Sequence, residues 1–166
     1  APANVACGLA RLGTASAFVG RLGMDPIGEA FTHLLAQRGV DLSALQHDPI
    51  RPSRIVLVRR DAGGERSFGG FAGDRGEGFA DQALDAAALQ AAFPPLLAAA
   101  SWLQVGTIPL ATAASAEALR LALRLAADAG VLLALDVNWR PTFWNPAAAL
   151  DAGPPAQAQA EMRPLI

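Results

Sequence analysis

Between Asp85 and Asp136 the sequence alternates stretches of helical period with short apolar runs, and this alternation limits the fold more than any other feature. Helices are expected near Asp85–Ala100 and Ala113–Ala129, with strands at Trp102–Val105 and Val131–Asp136. Gly130 is placed to cap the second helix, because glycine adopts the left-handed conformation at a helix end without steric cost. Strands separated by helices of this length need crossover connections, so the sheet should be parallel and covered on both faces. The crossovers should be right-handed.

The first half carries the same alternation with one interruption. A helix is expected from Pro2 to Leu12 and a strand from Ala15 to Val19, followed by a tight turn around Gly20, Gly23, Asp25 and Gly28. The next helix, about Pro26–Arg38, sets Ile27, Ala30, Phe31, Leu34 and Leu35 on one stripe. Pro26 suits its first turn, Gly39 its C-terminal cap, and Asp25 can cap its free N–H groups. The β-branched run Arg54–Arg60, the turn Asp61-Ala62-Gly63-Gly64 and the return Glu65–Phe71 then read as a hairpin, antiparallel structure beside the main sheet. Beyond Trp144 the pattern fades into Ala, Pro and Gln, and no closing helix or strand is expected.

Composition narrows the functional classes. The sequence is 52% apolar and 17% charged, within the globular range. A net charge of −2 gives no electrostatic case for nucleic acid or an anionic membrane. Residues 86–116 carry no charge and are long enough to span a bilayer, yet Pro94-Pro95, Gly106 and Pro109 would break such a helix. A helix end, a buried strand and a loop fit better. Cys7 is the sole cysteine, which excludes an internal disulfide and fits a reducing cytoplasm. His33 and His47 lack partners at metal-ligand spacing, so no metal site is expected.

The residue pattern with most chemistry is Asp136-Val137-Asn138-Trp139-Arg140. It follows an apolar strand, and the carboxyl ends of parallel strands are where open α/β sheets bind ligands. An arginine beyond that edge can hold a phosphate through its planar fork. Equally, Asp136 and Asn138 can make turn hydrogen bonds while Arg140 pairs with a surface carboxylate. Spacing alone leaves both readings open. Gly20, Gly23 and Gly28 do not fit G-x-G-x-x-G, which argues against a dinucleotide-binding oxidoreductase.

The order Ala1-Pro2-Ala3-Asn4, small-residue helix, Gly13, apolar run, then Gly20, Gly23, Asp25 and Gly28 resembles the N-terminal signature of the ribokinase-like (PfkB-type) carbohydrate kinases, and within them the fructokinases. Asp-x-Asn-x-Arg after an apolar strand resembles a second segment of that family. The resemblance implies an α/β fold, a three-layer parallel sheet with a small antiparallel lid, incomplete in this sequence. Residues 52–80 would be the lid hairpin and its exit loop. It implies that Asn4 contacts sugar hydroxyls, although as a lone residue Asn4 can equally be an N-cap. It also implies that Asp136, Asn138 and Arg140 line the site near the sugar and the transferred phosphate. Gly106-Thr107 would face the sugar, or form an ordinary strand-to-loop turn. Phe71 would lie over the sugar ring with Phe68, or pack the hairpin onto the core.

The family uses ATP and magnesium, and it draws its general base and anion hole from a Gly-Ala-Gly-Asp motif. That motif is absent from these 166 residues. So are the family's Asn-x-x-Glu segment, its first strand and that strand's sugar-binding Asp. The resemblance therefore implies part of an ATP-dependent sugar kinase acting on a hexose hydroxyl, with no catalytic residue or complete nucleotide site, inactive in isolation. A non-catalytic sugar-binding or regulatory protein is the alternative. The exposed lid edge offers a surface for a homodimer.

Overall fold

The computed structural model describes residues 2–165 and is an α/β structure. Helix α1 (Pro2–Arg11) leads into an extended segment in which Ala17 bridges Asp41, then strand β1 (Gly20–Gly23) and helix α2 (Pro26–Gln37). Strand β2 (Leu45–Asp48) lies parallel to β1, with Gly20 opposite Leu45 and Gly23 opposite Asp48. Strands β3 (Ile55–Arg60) and β4 (Arg66–Ala72) form the expected antiparallel hairpin. Helix α3 (Ala86–Ala99), β5 (Trp102–Gly106), α4 (Ala113–Asp128) and β6 (Leu132–Asp136) follow, with β5 and β6 parallel. The short α5 (Pro141–Trp144) and α6 (Ala156–Met162) complete the order.

Several expectations need correction. Ala15–Val19 contributes one bridge, and the strand begins at Gly20, where a turn was expected. Its partner β2 reads LQHD, with no apolar run and no strand expected there, and holds His47. The two parallel pairs share no backbone ladder among the described residues. Side chains of β1 and β2 instead bind the segment that enters α3. Arg21 donates to the Ala83 carbonyl at 2.7 Å, and Gln46 exchanges two 2.8 Å bonds with the Asp85 backbone. The strand expected to be buried is only partly so: Trp102 is 62% and Leu132 54% exposed, at the paired starts of β5 and β6.

Helix α3 runs through Pro94-Pro95, in keeping with the expected span Asp85–Ala100. The prolines free the carbonyls of Gln90 and Ala91, and these residues are exposed, so water can satisfy them. The opposite face buries Leu89, Phe93 and Leu97 against Ala118, Ala122 and Ala126 of α4. Helix α4 also serves a second cluster, where Val105, Leu110, Ala116 and Leu119 meet Ala158 and Met162. That contact explains α6, which the sequence pattern did not announce. In α2 only part of the apolar stripe is used. Leu35 is fully buried with Ala6 of α1 and Val40, and Phe31 packs beside them, whereas Ile27 and Leu34 stay exposed. Among the described residues no helix is long and apolar enough to cross a membrane.

The hairpin carries a β-bulge between Leu57 and Val58, where register passes from Leu57–Gly70 to Val58–Phe68. Gly69 is the extra residue and Gly70 has φ 107°, a conformation that favours glycine. The Gly69-Gly70 pair is thus the chemistry of a bulge.

Candidate functional site

The carboxyl ends of β5 and β6 come together in register, Gly106 opposite Asp136. Thr107 follows at once and is 1% exposed, opening the 3₁₀ turn Ile108–Ala111. After β6 the backbone turns tightly, with Asn138 N–H donating to the Asp136 carbonyl at 2.8 Å and Trp139 N–H to Val137 at 3.0 Å. These bonds are made by the main chain. Among the described residues the side chains of Thr107, Asp136 and Asn138 make no hydrogen bond or ion pair. The tight turn after β6 is thus bonded through the backbone of Asn138 and Trp139.

Arg140 is exposed and its Nη1 donates to the Trp139 carbonyl at 2.8 Å. It forms no ion pair among the described residues. Asn4 is the third residue of α1, inside the first turn and exposed, so it is not the N-cap. Helix α1 contacts β5, which places it beside the same strand pair.

Phe71 joins the hairpin to this edge through aromatic packing. Its ring centroid lies 4.9 Å from Phe143 of α5, 5.1 Å from Phe68 and 6.1 Å from Phe79. Edge-to-face pairs at these distances are favourable beyond their buried area. The structure thus brings together Gly106, Thr107, Asp136 and Asn138 at one edge, with Phe71 reaching the segment that follows. Trp139 is anchored by Nε1–H donating to the Ala152 carbonyl at 2.7 Å. Arg54, at the hairpin's start, sits among the rings and was not singled out from sequence. An arginine before a strand resembles any solvated surface arginine, and no local pattern distinguishes it.

A second polar knot supports the hairpin's entry. Asp25 caps α2 by accepting from Gly28 N–H at 2.7 Å and also accepts from Ser53 N–H at 2.6 Å. Ser53 Oγ in turn accepts from Gly23 N–H at 3.0 Å. Burial pushes the Asp25 carboxyl upward, but the N–H bonds from Gly28 and Ser53 outweigh it and hold it below the ordinary Asp value. The glycines follow from this crowding. A Cβ on Gly23 would lie 2.6 Å from Ser53 N, and one on Gly28 would collide with the Gly23 carbonyl.

Asp48 is buried, at 1% exposure. It accepts from Ile50 and Arg51 N–H at 2.9 and 2.8 Å and pairs with Arg21 at 3.1 Å. Desolvation raises its pKa, while those N–H bonds and the Arg21 charge bring it below the ordinary value. It holds the β2 exit and stands apart from the β5–β6 edge. Among the described residues no group of three or more His, Cys, Asp or Glu side chains is arranged to hold a metal ion.

Comparison with known proteins converges on one family. The profile described as pfkB family carbohydrate kinase matches residues 1–159. A fructokinase from Klebsiella pneumoniae is 37% identical over 145 residues, covering 87% of this chain and 44% of that protein. The crystal structure of a fructokinase from Vibrio cholerae in apo form superposes with a TM-score of 0.77 at 32% identity, covering 99% of this chain and 51% of that one. A fructokinase from Xylella fastidiosa solved with bound ATP gives a TM-score of 0.78 at 27% identity, over 97% of this chain and 46% of that one. The fold is the ribokinase-like α/β fold, and the chain spans about half the length of the relatives it matches.

Proposed function

The chain belongs to the pfkB family of carbohydrate kinases, and from that premise we propose that it forms the sugar-side portion of a fructokinase-like, ATP-dependent kinase. The reaction would pass the γ-phosphoryl of ATP to a primary hydroxyl of a hexose. The observation that carries this reading is the placement of Asp136 and Asn138, with no protein partners for their side chains among the described residues, at the carboxyl edge of β5–β6 beside Gly106 and the buried Thr107. Carboxylate and amide groups match vicinal sugar hydroxyls, since one accepts and the other both donates and accepts. Asn4, on the helix beside β5, and Gly106 belong to the same wall. Arg140 is assigned to the phosphate, as an exposed guanidinium without a carboxylate partner.

Residues 52–80 act in this proposal as a lid, with Phe71 offering an aromatic face to the sugar. The hairpin's outer strand exposes Val56 and Val58, which suits pairing with a second subunit. The single free cysteine and the family assignment suit a cytoplasmic enzyme.

Phosphoryl transfer needs a general base and donors for the phosphoryl oxygens. Neither stands among the residues assigned here, so this portion binds and orients the acceptor, and no step is assigned to magnesium. Titrating the 166-residue chain with D-fructose by calorimetry, with L-arabinitol as control, tests the reading. Saturable fructose binding without ATP turnover is expected. Absence of fructose binding, or a phosphorylation rate from material free of other kinases, overturns it.

A further inference from the structure

Arg54 joins three segments that are distant in sequence. Its guanidinium carbon lies 4.5 Å from the Phe71 ring centroid, 4.2 Å from Phe79 and 4.6 Å from Phe143. Nε and Nη2 donate to the two Asp81 carboxylate oxygens at 3.0 and 3.1 Å. Its side chain is only 9% exposed, against 40% for Asp81. Phe71 belongs to the hairpin, Phe79 and Asp81 to its exit, and Phe143 to the helix after the Asp136–Arg140 loop.

This combination uses a property peculiar to arginine. A guanidinium is planar, so its faces stack on aromatic rings while its edge donates two parallel bonds to a carboxylate. A lysine ammonium keeps the charge but offers neither the plane nor the fork. Burial of the Arg54 side chain beneath the rings shields the guanidinium, while the half-exposed Asp81 carboxylate keeps contact with water. The hairpin has few other ties to the body of the protein: most of β3 is exposed, and among the described residues β3 and β4 pair only with each other.

The geometry points to Arg54 as a positioning residue that clamps the hairpin onto the segment leaving β6, so that Phe71 and the Asp136–Asn138 edge are presented to the ligand as one surface. The clamp rests on the reading of the hairpin as the sugar's cover. Arg54 need not touch the sugar; it acts through Phe71 and Phe143.

The test uses the 166-residue chain and the variants Arg54→Lys, Phe143→Leu and their combination. Amide hydrogen exchange of the hairpin is followed together with calorimetric fructose affinity. Each single substitution should speed exchange of the Phe68–Ala72 amides at least tenfold, while the slowest amides of α4 keep their rates. The double variant should exchange no faster than the faster single, because both changes open one contact. Fructose affinity should fall at least fivefold in each. Where Arg54→Lys does not fold, Phe143→Leu carries the same comparison. Unchanged hairpin exchange in Phe143→Leu, additive effects in the double variant, or faster exchange with unaltered fructose affinity each overturn the clamp. If the unsubstituted chain binds no fructose, the sugar-site reading fails and the exchange measurements alone decide the clamp.

Discussion

Asp25 and Ser53, 28 positions apart, are bound to each other and to the same turn: Asp25 accepts the Ser53 N–H at 2.6 Å, and Ser53 Oγ accepts the Gly23 N–H at 3.0 Å. The pair fastens the end of β1, the start of α2 and the entry to the hairpin at one point. Replacing Asp25 with Ala removes a helix cap and leaves the Ser53 N–H unsatisfied. A lost cap costs about 1 kcal/mol and an unpaired buried donor about 1–3 kcal/mol. Asp25→Ala should therefore lower stability by roughly 2–4 kcal/mol in urea unfolding, and Asp25→Asn, which keeps one acceptor but turns its NH2 toward the other N–H, should recover only part of that loss. Equal losses in the two variants would argue against the capping role.

The pH response follows from three carboxylates held below the ordinary Asp value. Burial opposes ionisation of Asp25 and Asp48, but N–H donors and, for Asp48, Arg21 overcome it. Asp85 is held down first by the Ala88 N–H at the start of α3. A depressed folded pKa means that the unfolded chain binds protons first. The stability these groups give is complete above the ordinary value of about 3.9 and is lost as pH falls below it through the folded values. Thermal unfolding between pH 6 and 3 should show a falling midpoint, with a shallower slope in Asp48→Asn. A slope unaltered by that substitution would rule Asp48 out as a contributor.

Asp136 should separate binding from folding. Its side chain makes no bond within the described structure and sits at the end of β6. Asp136→Asn should shift stability by no more than about 0.5 kcal/mol. Fructose affinity should nevertheless fall roughly tenfold, the loss of one charge-assisted hydrogen bond at about 1.4 kcal/mol. Calorimetry and thermal melts on the same preparations measure both. A large drop in melting temperature with unaltered affinity would return Asp136 to a structural role.

Pro94 interrupts the hydrogen bonding of α3 on its exposed face. Pro94→Ala restores a donor to the Gln90 carbonyl. A proline inside a helix costs about 3 kcal/mol, while its loss loosens the unfolded chain by up to about 1 kcal/mol. A gain of roughly 1–2 kcal/mol in the urea midpoint analysis is expected. A loss would show that the ring itself makes a contact the helix needs.

Much of this architecture was legible because it is written in local chemistry. Asp25-Pro26 begins α2 and Gly39 (φ 77°) and Gly130 (φ 70°) end their helices, as capping rules require. Asp61-Ala62-Gly63-Gly64 closes the hairpin. Strand β2 escaped notice because LQHD draws its stability from the ladder to β1, not from its own side chains. Helix α6 escaped because its burial depends on a groove formed by Val105, Leu110 and Leu119.

The sequence by itself pointed to the family, the four longest helices, strands β3 to β6 and the place of Asp136 and Asn138 at a strand's end, since motif and periodicity are local properties of the chain. Only the tertiary structure decided that Gly106 stands opposite Asp136, that Asp25 and Ser53 share one knot, and that Arg54 lies among Phe71, Phe79 and Phe143. Those relationships join residues tens of positions apart through packing and desolvation, which no window of neighbouring residues encodes.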